Sequence, residues 1–234
     1  MSNRSKVLGR PPNRQLRDQR RHAILDTALK LFAEHGYDAT DTQMLSDSLG
    51  VGKGTLYRHF ASKQELFAAA VNRSIDRLDE CIDQAMASVE DPLDRFEAAI
   101  VAYLAFFDEN PGVIELLIQE RAIFKDNQRP TYFQRRDANA QHHHHMLQQL
   151  VADGRLRDVP AERICEVLGN QMYGTMFTNY FAGRQKTFAQ QAKEILDIVF
   201  HGILSDAERT RRDERLAQST PTSAPISLPS QPCC

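Results

Sequence analysis

The 234-residue sequence has no tryptophan and only four cysteines, and no apolar run exceeds the ten residues from Ala98 to Phe107. Each shortage removes a class of protein. Ten apolar residues are about half of what a membrane-spanning helix needs, so a soluble, cytoplasmic chain is expected. No apolar stretch follows the basic residues at the start, so no signal peptide is expected either. Cys81 and Cys165 fall in apolar helical segments, where a small buried thiol is the ordinary reading, and Cys233-Cys234 end the chain. A disulfide framework is not expected from them. Alternating apolar residues, the mark of a half-buried strand, are missing as well.

Charge is unevenly distributed. The whole chain carries only −2, yet residues 1–63 hold eleven Lys/Arg against six Asp/Glu, and residues 64–234 hold eighteen against twenty-five. A basic head on an acidic body suits a nucleic-acid-binding module joined to one with another task. The head opens with a segment, residues 1–19, that has five Arg/Lys and one acid and contains Gly9-Arg10-Pro11-Pro12. Proline lacks the amide and restrains its predecessor, so this segment is expected to be an extended, mobile arm. Arg10 would then reach a minor groove, the alternative being a basic tail of nonspecific affinity.

The sequence from Gly36 to Lys63, GYDATDTQMLSDSLGVGKGTLYRHFASK, has the parts of two short crossing helices. Thr40 or Asp41 caps a helix starting near Thr42; Leu45 and Leu49 share one face, and Ser46 is small where a second helix would approach. Gly50 falls at the turn, Val51 plugs the corner, and Gly52 opens the next helix. Leu56 and Phe60 point back to the core at i, i+4. The other face shows Lys53, Thr55, Tyr57, Arg58 and His59, groups suited to phosphate oxygens and base edges. The Gly50-Val-Gly-Lys-Gly-Thr echo of a phosphate-binding loop fails on order, because Gly54 follows Lys53 and a helix precedes it.

These residues resemble the N-terminal domain of the tetracycline-repressor (TetR/AcrR) family of transcriptional regulators. The resemblance rests on Ile24 to Phe32, Gly36-Tyr37, Thr40, Lys53-Gly54-Thr55-Leu56-Tyr57, His59-Phe60 and Ser62-Lys63, with departures at Leu45-Ser46, Leu49 and Gly52 on the packing and capping side. It implies DNA contacts from Thr42, Gln43, Lys53, Thr55, Tyr57, His59 and Lys63, with Lys63 gripping phosphate at a helix N-terminus.

Beyond Lys63 the chain reads as helix after helix, with proline in first turns and glycine past the last. Segments run from the Ser62 cap to about Val89, from Pro92 to Glu109, from Pro111 to about Phe124, from Pro130 to Asp153 before Gly154, from Pro160 to about Gly183, and from the Thr187 cap to Leu204. With three in the head, nine helices are expected in an all-α fold: arm 1–19, helix-turn-helix domain 20–63, helical effector-binding and dimerisation domain 64–205, and disordered tail 206–234. The tail is first charged and then rich in Ser, Thr and Pro.

Aromatic and sulfur residues gather on the middle helices. Tyr103, Phe107, Phe124, Tyr132, Tyr173, Met176, Phe177 and Tyr180 are the candidate lining of a small-molecule site, plain core being the alternative for each alone. The family resemblance implies an effector pocket here, with the ligand apolar or aromatic, and a homodimer formed by the last two helices, for which Ile164, Val167, Leu168, Ile195, Ile198 and Val199 are available and where Gly169 and Gly174 would allow close approach. The tract His142-His143-His144-His145 suggests metal, but helical geometry puts only its first and last members on one face. No metal site, cofactor or catalytic residue is assigned. The expected function is that of a ligand-responsive repressor of a palindromic operator, with an activator or a metal-responsive regulator as alternatives. A purely architectural DNA-binding protein would have no use for the acidic aromatic-rich body.

Overall fold

The computed structural model describes residues 14–124, 129–156, 158–201 and residue 210, the side chains of 14, 15 and 140–143 excepted. Arg10, residues 206–209 and 211–234 of the expected tail, Cys233 and Cys234 among them, and the side chains of His142 and His143 lie outside the described residues. Nine helices and no strand occur among those described: α1 (Arg14–Ala39), α2 (Thr42–Leu49), α3 (Lys53–His59), α4 (Lys63–Ala87), α5 (Pro92–Glu109), α6 (Pro111–Ile123), α7 (Thr131–Ala152), α8 (Ala161–Ala182) and α9 (Phe188–His201). They divide into two compact units between Ala192 and Lys193, inside α9. No helix is long and apolar enough to cross a membrane, among the described residues.

The helix boundaries follow local chemistry. Asp41 takes the cap of α2, its carboxylate accepting from the Met44 amide at 2.8 Å, while the Thr40 side chain is buried and donates to the Gly36 and Leu31 carbonyls. Ser62 caps α4 by accepting from the Glu65 amide, and Glu65 accepts in turn from the Ala61 amide. Thr187 and Gln190 exchange bonds at the start of α9. Gly50, at φ 63°, ends α2 in the left-handed region, where its amide reaches the Asp47 carbonyl.

One expectation fails at the N-terminus. The helix α1 begins at Arg14, so residues 14–19 of the segment read as an arm are its first turns. The prolines that forbid helix stop at Pro12, and nothing after them opposes the backbone bonds. Cys81, expected to be buried, is exposed: Ile75, Leu78 and Ile82 take the inward line of α4, and Cys81 falls to the side of it.

The head packs around Phe32 of α1, Leu45 of α2, Leu56 and Phe60 at the end of α3, and Leu66 and Phe67 of α4, all buried. Phe32, Tyr37 and Phe67 form a ring cluster with centroids 5.1–5.8 Å apart. The helix α4 also packs on α5, and α1 on α6, with the Gln119 amide donating to the Phe32 carbonyl at 2.9 Å. Glu120, buried in α6, accepts from the Thr131 amide and hydroxyl and so holds the first turn of α7, whose N-cap is the proline Pro130.

Candidate nucleic-acid interface and effector cavity

Burial of Leu56 and Phe60 sets the roll of α3 and turns its other face outward. Lys53, Tyr57 and Arg58 are exposed, Tyr57 by 51 %, and Thr55 and His59 are half-buried. Gln43 is exposed on α2 and holds Asp47 one turn on at 2.6 Å, while Thr42 is half-buried. The Arg58 guanidinium lies 3.4 Å from the Thr55 hydroxyl.

Three arginines of α1 add to this surface, beyond the residues that the sequence singles out. Burial, followed by the charges of Arg17, Arg58, Arg21 and Arg20, holds the His59 imidazole below its ordinary pKa. Arg21 also stacks over the Phe60 ring at 4.4 Å and donates to the His59 carbonyl at 3.2 Å, which ties the end of α3 to α1. The signal for them is Arg17, Arg20 and Arg21 at helical spacing, hidden because Arg17 falls within the segment expected to be an arm.

The Lys63 ammonium donates to the carbonyls of Tyr37 at 2.8 Å, Thr40 at 3.0 Å and Asp38 at 3.4 Å, and it lies 4.3 Å from the Tyr37 ring centroid. An ammonium has three donors, and all are directed at the loop after Gly36, where a broken helix leaves carbonyls without partners. Lys63 therefore closes the α1–α2 corner.

The larger cavity, about 360 Å³, is bounded by α4, α5, α7 and α8. Its walls include Ile75, Leu78, Ile100, Leu147 and Met172, with Tyr103 and Tyr132 on its inner side. Those two phenols share a hydrogen bond of 2.8 Å, and burial raises both pKa values. A second cavity of about 230 Å³, between α5, α6 and α8, is lined by Phe107, Met176 and Tyr180 among others. The eight candidates are thus split: two in the first cavity, three in the second. Tyr180 donates a short hydrogen bond to Glu115, which raises its pKa.

Phe124, Tyr173 and Phe177 line neither cavity. Phe124 meets Phe67 of the head, with centroids 6.3 Å apart. Tyr173 packs on Tyr132 and Phe133, and Phe177 on Tyr173 and Phe181. Along α8, Met172, Met176 and Tyr180 follow the inward line at i, i+4, i+8, and Tyr173, Phe177 and Phe181 follow the neighbouring one. The spacing merges two adjacent lines into one stripe. Leu168 lines the larger cavity, and Gly169 faces the Arg136 side chain, where a Cβ would lie in ordinary van der Waals contact, 3.4 Å from Arg136 Cδ.

Residues 24–70 match the family model of bacterial regulatory proteins of the tetR family, and residues 89–203 match the tetracyclin repressor-like C-terminal domain. The chain belongs to the TetR family. This TetR-family regulator is 35 % identical over 107 residues to the transcriptional activator FasR of Mycolicibacterium smegmatis, a match covering 46 % of this chain and 49 % of that protein. It is 25 % identical over 193 residues to the transcriptional repressor KstR2 of Mycobacterium tuberculosis, covering 81 % and 95 %. In fold it resembles the TetR-family regulator PfmR of Thermus thermophilus, with a TM-score of 0.62 and 24 % identity over 78 % of this chain and 99 % of that one. The TetR-family assignment makes it a helix-turn-helix transcriptional regulator.

His144 Nδ1 lies 3.9 Å from Glu162, and no group of three metal-ligating side chains occurs among the described residues.

Proposed function

We propose that this regulator is a homodimeric repressor whose α3 reads a palindromic operator and whose larger cavity admits a small-molecule effector that releases it. The observation that carries the reading is the reach of α4. Leu66 and Phe67, near its N-terminus, belong to the core of the head, and Ile75, Leu78, Asp79, Ile82 and Met86 farther along line the cavity. At about 1.5 Å per residue, this 25-residue helix is roughly 38 Å long. A ligand that prefers one position of α4 would change the setting of α2 and α3 and with it operator affinity.

Dimerisation supplies the second recognition helix, since half-sites one turn apart lie about 34 Å from each other. On α8, Val167 is 54 % and Phe181 71 % exposed, a large apolar contribution to surface that a second copy would cover. On α9, Ile198 is 52 % exposed. Base and phosphate contacts are assigned to Thr42, Gln43, Lys53, Thr55, Tyr57 and His59, with Arg58, Arg17 and Arg20 added. The protein would act in the cytoplasm on double-stranded DNA, without a cofactor or a catalytic role.

Similarity to KstR2 supports repression, and similarity to FasR, an activator, supports the second reading. Footprinting on the DNA beside the protein's own gene tests the core of the proposal. Two protected half-sites related by a dyad are expected, and transcription from that promoter should rise when the gene is deleted. Uncooperative, sequence-indifferent protection would refute a specific regulator; a fall in transcription on deletion would make it an activator.

A further inference from the structure

The larger cavity is apolar along most of its wall but carries charge, and its charged groups are not equivalent. Arg135 is paired with Asp76 and Asp79, and Asp137 with Arg129. Glu162 faces His144, and Glu166 is exposed to solvent at the rim. Arg95 is held through Nε by the Val89 carbonyl at 2.7 Å. Arg136, like Arg95, differs from Arg135 in having no carboxylate partner among the described residues. It is half-buried over the Phe133 ring at 4.9 Å, it donates to the neutral Asn170 side chain at 3.2 Å, and no carboxylate lies within ion-pair distance of it among the described residues. Its charge is also felt by both buried phenols, partly offsetting the rise that burial causes in Tyr103 and Tyr132.

A guanidinium without an anion at the mouth of an apolar cavity, with neutral hydroxyl donors on its inner side, is open to a carboxylate. This arginine lies against Gly169 of α8. Acids at the rim are either paired or solvated, so they weigh less than the unpaired cation.

Resting on the effector reading of this cavity, we propose that its ligand is an amphipathic monoanion: a carboxylate bound by Arg136 and the Tyr103–Tyr132 hydroxyl pair, and an unbranched or compact apolar body against Ile75, Leu78, Ile100 and Met172. At about 30 Å³ per water-sized volume, the cavity of about 360 Å³ suits roughly a dozen non-hydrogen atoms. Arginine presents a planar fork to a carboxylate, and a hydrogen bond to a charged group is stronger than one between neutral groups.

Calorimetry on the full chain with decanoate, methyl decanoate and decylamine tests this, using the wild type and the variants Arg136→Gln, Arg95→Gln and Ala99→Phe. Decanoate should bind at least about tenfold more tightly than the ester or the amine. Arg136→Gln should remove that preference while the ester still binds, which also shows that the variant folds. Equal binding of acid and ester would overturn the anionic head and leave the effector cavity standing, and tightest binding of the amine would overturn it in favour of the acidic rim. Loss of the preference in Arg95→Gln but not Arg136→Gln would overturn the anchor. Ala99→Phe should fill the cavity and weaken all three ligands; decanoate binding that survives it, or binding of none of the three to the wild type, would overturn both the anion and the cavity as the effector site.

Discussion

Two residues of the head carry opposite lessons. Lys53 is exposed at the first turn of α3, whereas the Lys63 ammonium is consumed by three carbonyls at the α1–α2 corner. Replacing Lys53 by Ala should reduce the salt slope of operator binding by about one, as expected for a lost phosphate contact. Replacing Lys63 by Met should lower the thermal midpoint and leave that slope near its wild-type value. Gel-shift titrations at several salt concentrations, with a melting curve for each variant, separate the two roles. His59 adds a pH term. Its free-state pKa is held down by burial and four arginines, and a phosphate nearby would raise it. Affinity should therefore increase as pH falls through the pKa of the DNA-bound protein, with the gain complete below the free-state value. His59→Gln should flatten this part of the pH profile.

Among elements, the helix-turn-helix is the most legible from sequence. Asp41, Gly50, Ser62 and the buried faces of Leu45, Leu56 and Phe60 act where local rules put them, because caps, positive φ and i, i+4 burial are short-range matters. Gly50→Ala should destabilise the chain by roughly 1–2 kcal/mol, the usual cost of a side chain in the left-handed region, read as a lower urea midpoint. The α8 line is less legible. Periodicity groups Tyr173, Met176, Phe177 and Tyr180, and only packing separates the cavity-facing Met176 and Tyr180 from the other two. A helical stripe of about 100° cannot say which edge faces a cavity.

For the whole molecule, the charge split between a basic head and an acidic body matches the division of labour proposed for it. Dimer formation belongs at this scale. Val167→Glu, at an exposed position of α8, should shift the protein toward monomer in sedimentation and weaken operator binding steeply, while leaving its helical circular dichroism intact. A variant that stays dimeric would move the interface away from this face.

The sequence by itself determined the all-helical class, the family, the caps and turns, and the residues on the outer face of α3, since these depend on composition and on contacts a few positions apart. Tertiary structure alone decided that Lys63 closes a corner, that Arg17, Arg20 and Arg21 lie near His59 of α3, and that Arg136 and Gly169 meet at the wall of the larger cavity. The reason is range. Tyr103 and Tyr132 are 29 positions apart and share one hydrogen bond, and no local pattern encodes which helix faces another across such a gap.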